Sequence, residues 1–152
     1  MSRNSLKLER GQRRWLHATL AVLFVSGVVW WVLHRWGEVE TEFGPTPHPL
    51  NPWLMRVHGG AAMVALVVLG TLLSGHVRRA WQAGRNRLSG LGMLVWCGGL
   101  SVSGYALYYA GAETARTWAS IIHLVGGLAF PLVLIVHIWS GRRARLNANG
   151  RT

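Results

Sequence analysis

The chain has 152 residues, 51% of them apolar, and a formal net charge of +11 from 16 Lys and Arg against 5 Asp and Glu. Four apolar runs joined by short polar connections leave no room for a second domain at this length, so residues 1–152 are expected to form a single membrane domain. Such a charge would suit nucleic acid, but it lies in blocks flanking the apolar runs, which is the pattern of membrane topology, and no nucleic-acid partner is expected.

In chain order, Arg3, Lys7, Arg10, Arg13 and Arg14 precede a first run from Trp15 to Leu33. It is too long for a secretory signal, and His34-Arg35-Trp36-Gly37 follows it with no small-x-small cleavage pattern. An outer connection then carries Glu38, Glu40 and Glu42 and the proline-rich stretch Gly44 to Pro52, which is expected to stay non-helical until Trp53. The second run is Trp53 to His76. Arg78, Arg79, Arg85 and Arg87, with Gly84 and Asn86, form a short inner turn before the third run, Leu88 to Tyr109. The outer connection Ala110 to Thr114 is tight enough to force an antiparallel pair with the fourth run, Trp118 to Ser140, and Arg142, Arg143, Arg145 and Arg151 follow. No internal repeat is strong enough to use.

Each run has the roughly 20 residues a helix needs to cross hydrocarbon. The expected fold is all-α, an integral membrane four-helix bundle. Only Arg35, Arg56 and Arg116 lie on the side opposite the basic blocks, together with Glu113, so the positive-inside rule puts both termini in the cytoplasm. Most of the nine tryptophans, among them Trp15, Trp36, Trp53, Trp118 and Trp139, cluster at span ends as an interfacial belt does. Cys97 stands alone in the third span and cannot form an internal disulfide.

Four of the seven histidines lie inside the runs at matched depths. The second and fourth spans both run inward, so His58 and His123 lie at the outer end and His76 and His137 at the inner end. Eighteen residues separate His58 from His76, five turns of an unbroken α-helix, while the 14 from His123 to His137 leave about 40° of drift. An imidazole within hydrocarbon is costly unless paired or functional. Two ligands at each depth suit a flat apolar disc with one imidazole above and one below, whereas zinc needs three or four ligands converging on one point. No Cys-x-x-Cys-His occurs, so two haems held by coordination alone, b-type, are expected. The iron ligands are His58 and His123 for the outer haem and His76 and His137 for the inner, with His17 as the alternative to His76. Gly59, Gly60, Ala61, Ala62, Ser74, Gly75, Gly126 and Gly127 provide a small-residue stripe, and Pro131 is expected to bend the fourth span. Arg56, Arg78, Arg79, Arg116 and Arg142 lie near the haem depths as candidate partners for propionates or as topology anchors.

The segment Ile122-His123-Leu124-Val125-Gly126-Gly127 through His137-Ile138-Trp139 resembles the last helix of bacterial di-haem cytochrome b membrane subunits. That superfamily includes the hydrogenase and formate dehydrogenase cytochrome b subunits, where a 14-residue histidine pair is usual. Gly44-Pro45, His48-Pro49, His58-Gly59, His76, Arg85-Asn86-Arg87-Leu88-Ser89-Gly90 and Ser103-Gly104-Tyr105-Ala106-Leu107-Tyr108-Tyr109 make nearly the whole chain similar to small stand-alone bacterial members. One departure stands out. In the formate dehydrogenase type an inner-haem ligand lies 14 residues before a Ser/Thr-Gly pair, and counting from Ser26-Gly27 puts Arg13 there, which cannot ligate iron.

The expected function is transmembrane electron transfer between a periplasmic redox protein or oxidoreductase subunit and the quinone pool, in the bacterial inner membrane. The irons are expected about 24 Å apart along the membrane normal. Ligation on both faces leaves iron no open position, which favours relay over oxygen activation. A quinone pocket would draw on His34, His48 and Glu42. Competing readings are a histidine-based proton or metal transporter and a cofactor-free membrane anchor subunit.

Overall fold

The computed structural model describes residues 10–84 and 86–149. Arg3, Lys7, Arg85 and Arg151 of the basic blocks lie outside the described residues, as does the side chain of Arg145. Helix α1 spans Arg10–Trp36, α2 Asn51–Leu72, α3 Arg78–Gln82, α4 Arg87–Tyr109 and α5 Glu113–Asn149; strands β1, Val39–Thr41, and β2, Gly44–Thr46, lie between α1 and α2. A π-helical turn, Leu73–Val77, joins α2 to α3, giving one helical stretch over Asn51–Gln82.

Four helical stretches are long and apolar enough to cross a membrane. Ala119 is the one buried apolar residue among the described residues, while Met63, Val67, Val102, Leu132 and Ile135 are exposed. In water so much contiguous apolar surface would aggregate. In lipid it needs no cover, and helix contact then depends on small and polar residues that allow close approach. The buried positions follow that rule: Thr19, Ser26, Asn51 and Ser103 are the other residues enclosed.

The chain divides into two compact units between His76 and Val77. The first is an antiparallel hairpin of α1 and α2, and the second an antiparallel hairpin of α4 and α5. Sequence expectation and structure differ at the edges. The connection between α1 and α2 is partly ordered as a two-stranded antiparallel hairpin, with Val39 opposite Thr46 and Thr41 opposite Gly44. Gly44 makes the turn with φ +97°. Helix α2 starts at Asn51, before Trp53, because Pro52 falls in the first turn, where its missing N–H costs nothing. Helix α5 continues through Pro131.

The connection between α3 and α4 turns at Gly84, φ +67°, and at Asn86, which caps α4 from the left-handed region at φ 53°. The π turn changes the expected histidine alignment. Thr71 and Ser74 hydroxyls donate to the Val68 and Thr71 carbonyls, competing with the helix ladder, and Gly75 follows. An i→i+5 turn holds one more residue than an α turn, so five whole turns from His58 no longer set the azimuth of His76.

Candidate functional site

In the first unit, His58 of α2 is half-buried against α1. Its Nδ1 lies 3.0 Å from the Leu23 carbonyl oxygen and 3.1 Å from Ser26 Oγ. A carbonyl oxygen only accepts, so Nδ1 carries the proton and the lone pair resides on Nε2. Ser26 Oγ donates its own hydrogen to the Val22 carbonyl at 2.6 Å, which leaves the oxygen to accept from the ring. Gly27, the next residue, lets the ring approach, since a Cβ there would lie 3.0 Å from His58 Cε1.

The second unit repeats this arrangement with different residues. His123 of α5 places Nδ1 3.1 Å from the Leu100 carbonyl and 3.1 Å from Ser103 Oγ. Ser103 Oγ donates to that same carbonyl at 3.1 Å. A Cβ on Gly104 would stand 3.1 Å from His123 Cε1. Leu23, Ser26 and Gly27 on α1 thus match Leu100, Ser103 and Gly104 on α4, each set facing a histidine on the next long helix. The chain therefore does hold a usable internal repeat, Leu-x-x-Ser-Gly written twice. Its signal is short, and only the antiparallel registers show that both copies face an imidazole.

His137, 14 residues further along α5, is held by a related device. Its Nδ1 lies 2.9 Å from Ser89 Oγ and 3.2 Å from the Ser89 carbonyl. Ser140 Oγ donates to Ser89 Oγ at 2.9 Å and receives Asn86 Nδ2 at 3.1 Å, so a polar chain links the α4 cap to the imidazole. Ser89 and Ser103 are 14 residues apart on α4, as are His123 and His137 on α5, and two antiparallel helices of equal rise then hold both pairs in one register. Neither the three serines nor Asn86 and Ser140 stand out as site residues from sequence alone.

His76 is half-buried in the π turn. His17 is exposed and nine residues before Ser26, half a turn from the face that meets α2. His34 stacks on Trp30, with ring centroids 4.7 Å apart and planes 10° apart. His48 accepts the Leu50 N–H at Nδ1, 3.2 Å, and Glu42 is exposed on the hairpin turn.

The arginines have varied settings. Arg56 lies over the Trp53 ring at 4.7 Å. Arg116 lines an open cleft of about 670 Å³ with Glu113, Thr117 and Ser120 beside the α4–α5 connection. Arg142 borders a hollow beside Ile135, Ile138 and Trp139, and neighbouring Arg143 stacks 3.9 Å from the Trp139 ring centre. Arg78 and Arg79 are exposed at the start of α3.

No three His, Cys, Asp or Glu side chains converge among the described residues. His58, His123 and His137 are therefore single imidazoles, each fixed in orientation and tautomer through Nδ1. That is the arrangement second-layer hydrogen bonds impose on a metal-ligating histidine, because it points a basic Nε2 outward and raises its basicity. His58, His123 and His137 fit an axial haem ligand by this chemistry. Comparison with protein families, characterised proteins and solved structures finds no match to this chain.

Proposed function

We propose that this chain is a multi-pass membrane electron carrier holding two b-type haems without covalent attachment. His58 and His123 ligate the outer haem, and His76 and His137 the inner, with His17 as the alternative to His76. The pairing rests on the depth each histidine holds along its helix. Both termini are assigned to the cytoplasm of a bacterial inner membrane, and the chain joins a periplasmic redox protein or oxidoreductase subunit to the quinone pool.

One observation carries the reading. Three imidazoles in apolar helices each have Nδ1 bound to a backbone carbonyl and a serine hydroxyl of the neighbouring helix. A histidine that merely packs in lipid needs one partner for its N–H. Repeating carbonyl and hydroxyl around each ring, with a glycine against the His58 and His123 rings, specifies direction as well. Haem supplies reversible one-electron exchange when bound. The residues of this chain orient the ligands: Ser26, Ser103 and Ser89 hold three rings, while Gly27 and Gly104 let two of them seat against the facing helix. Arg56 and Arg116 would neutralise carboxylates of the outer haem, and Arg78, Arg79 and Arg142 those of the inner.

Visible spectra of the detergent-purified protein from haem-replete cells, oxidised and then reduced with dithionite, test this directly. A reduced b-type spectrum with two haems per chain is expected, falling to one in His123→Ala and in His137→Ala. Haem counts in His76→Ala and His17→Ala identify the fourth ligand, because only the true one loses a haem. A featureless visible spectrum would refute the proposal.

A further inference from the structure

Asn51 is 7% exposed, and neither its Nδ2 nor its Oδ1 has a hydrogen-bond partner among the described residues. A buried primary amide left unpaired on both atoms is strongly disfavoured, so such a group calls for a ligand. Its position gives the ligand's place. Asn51 stands seven residues outward of His58 on α2, which puts the two on one helix face about 10 Å apart along the axis. The second unit has the same interval: Arg116 stands seven residues before His123 and lines the polar cleft with Thr117 and Ser120. Each imidazole backed by a leucine carbonyl and a serine thus has a strong hydrogen-bond donor two turns outward on its own face, an amide in one unit and a guanidinium in the other.

We propose that the Asn51 side chain binds a carboxyl group of the haem held by His58, an inference that rests on the haem reading above. The chemistry selects the group. A carboxyl presents two oxygens side by side, one accepting from Nδ2 and the other, when protonated, donating to Oδ1, so it engages both atoms of the amide. A quinone carbonyl or an apolar macrocycle edge leaves Oδ1 unanswered. The guanidinium at the matching position of the second unit is likewise a carboxylate partner.

The test titrates apoprotein in detergent with haemin and with haemin dimethyl ester, whose carboxyls are blocked, following tryptophan quenching. Wild type is expected to bind the free acid about tenfold more tightly than the ester, as a hydrogen bond to an ionisable group implies. Asn51→Leu should shrink that preference while the apoprotein melts at or above the wild-type temperature, since an unpaired buried amide has been removed. Should Asn51→Leu fail to fold, Asn51→Ser takes its place and should lose preference likewise. Equal wild-type affinity for acid and ester overturns this inference and leaves the haem reading standing, as does a variant that keeps the full preference. A wild-type protein that binds neither compound overturns the haem reading itself.

Discussion

Replacing Gly27 with alanine tests the fit between α1 and the His58 ring. An ideal Cβ at Gly27 lies 3.0 Å from His58 Cε1 and 3.3 Å from Nδ1, whereas carbon atoms in comfortable contact sit roughly 3.5–4.0 Å apart. The methyl group therefore overlaps the ring by about half an ångström. Two effects oppose each other. Alanine in a helix interior gains roughly 0.5–1 kcal/mol over glycine, while overpacking a tight contact costs about 1–3 kcal/mol. The ring cannot retreat freely, because moving it from α1 stretches its bonds to the Leu23 carbonyl and Ser26 Oγ. Overpacking should win, for a net loss of about 1–2 kcal/mol. Gly70, which is exposed and has no atom within 4 Å of the place a Cβ would take, supplies the control. Gly70→Ala carries only the propensity gain, so it should be neutral or stabilising by up to about 1 kcal/mol. Thermal unfolding in detergent, followed by circular dichroism, reads both. A Gly27→Ala protein melting at or above wild type, or a Gly70→Ala protein falling with it, would refute the close-approach argument.

Asn86 holds a left-handed conformation and donates to Ser140 Oγ, so Asn86→Ala should cost about 1–2 kcal/mol from backbone strain beside the lost hydrogen bond. Asn86→Gly should lose only the bond, and melting temperatures in the order wild type, glycine, alanine check this. For topology, a fluorescent protein fused after Thr152 should fluoresce and alkaline phosphatase at the same site should stay inactive, whereas phosphatase inserted at Phe43 should be active; the opposite pattern would reverse the assigned orientation.

Much of the fold was legible along the chain. Apolar length marked the four spans, because a helix must match the thickness of hydrocarbon whatever it packs against. Composition also marked the outer connection as polar and proline-rich, although it did not reveal the Val39–Thr46 strand pairing, which depends on cross-strand hydrogen bonds. The equal spacing of His58 and His76 in whole turns assumed an unbroken α-helix, and the competing hydroxyls of Thr71 and Ser74 accompany a π turn instead. Asn51 read as an ordinary residue before Pro52, since burial and missing partners are properties of neighbours in space.

The amino-acid order by itself determined that this chain has four membrane-length helices and that His58, His76, His123 and His137 lie well within them, because hydropathy and spacing are sums over neighbouring residues. Only the packed hairpins decided which way His58, His123 and His137 present their nitrogens, since the atoms that set each tautomer, the carbonyls of Leu23, Leu100 and Ser89 and three serine hydroxyls, come from helices 20 to 48 residues away. A hydrogen bond acts over about 3 Å, and antiparallel register alone brings such distant residues within that reach.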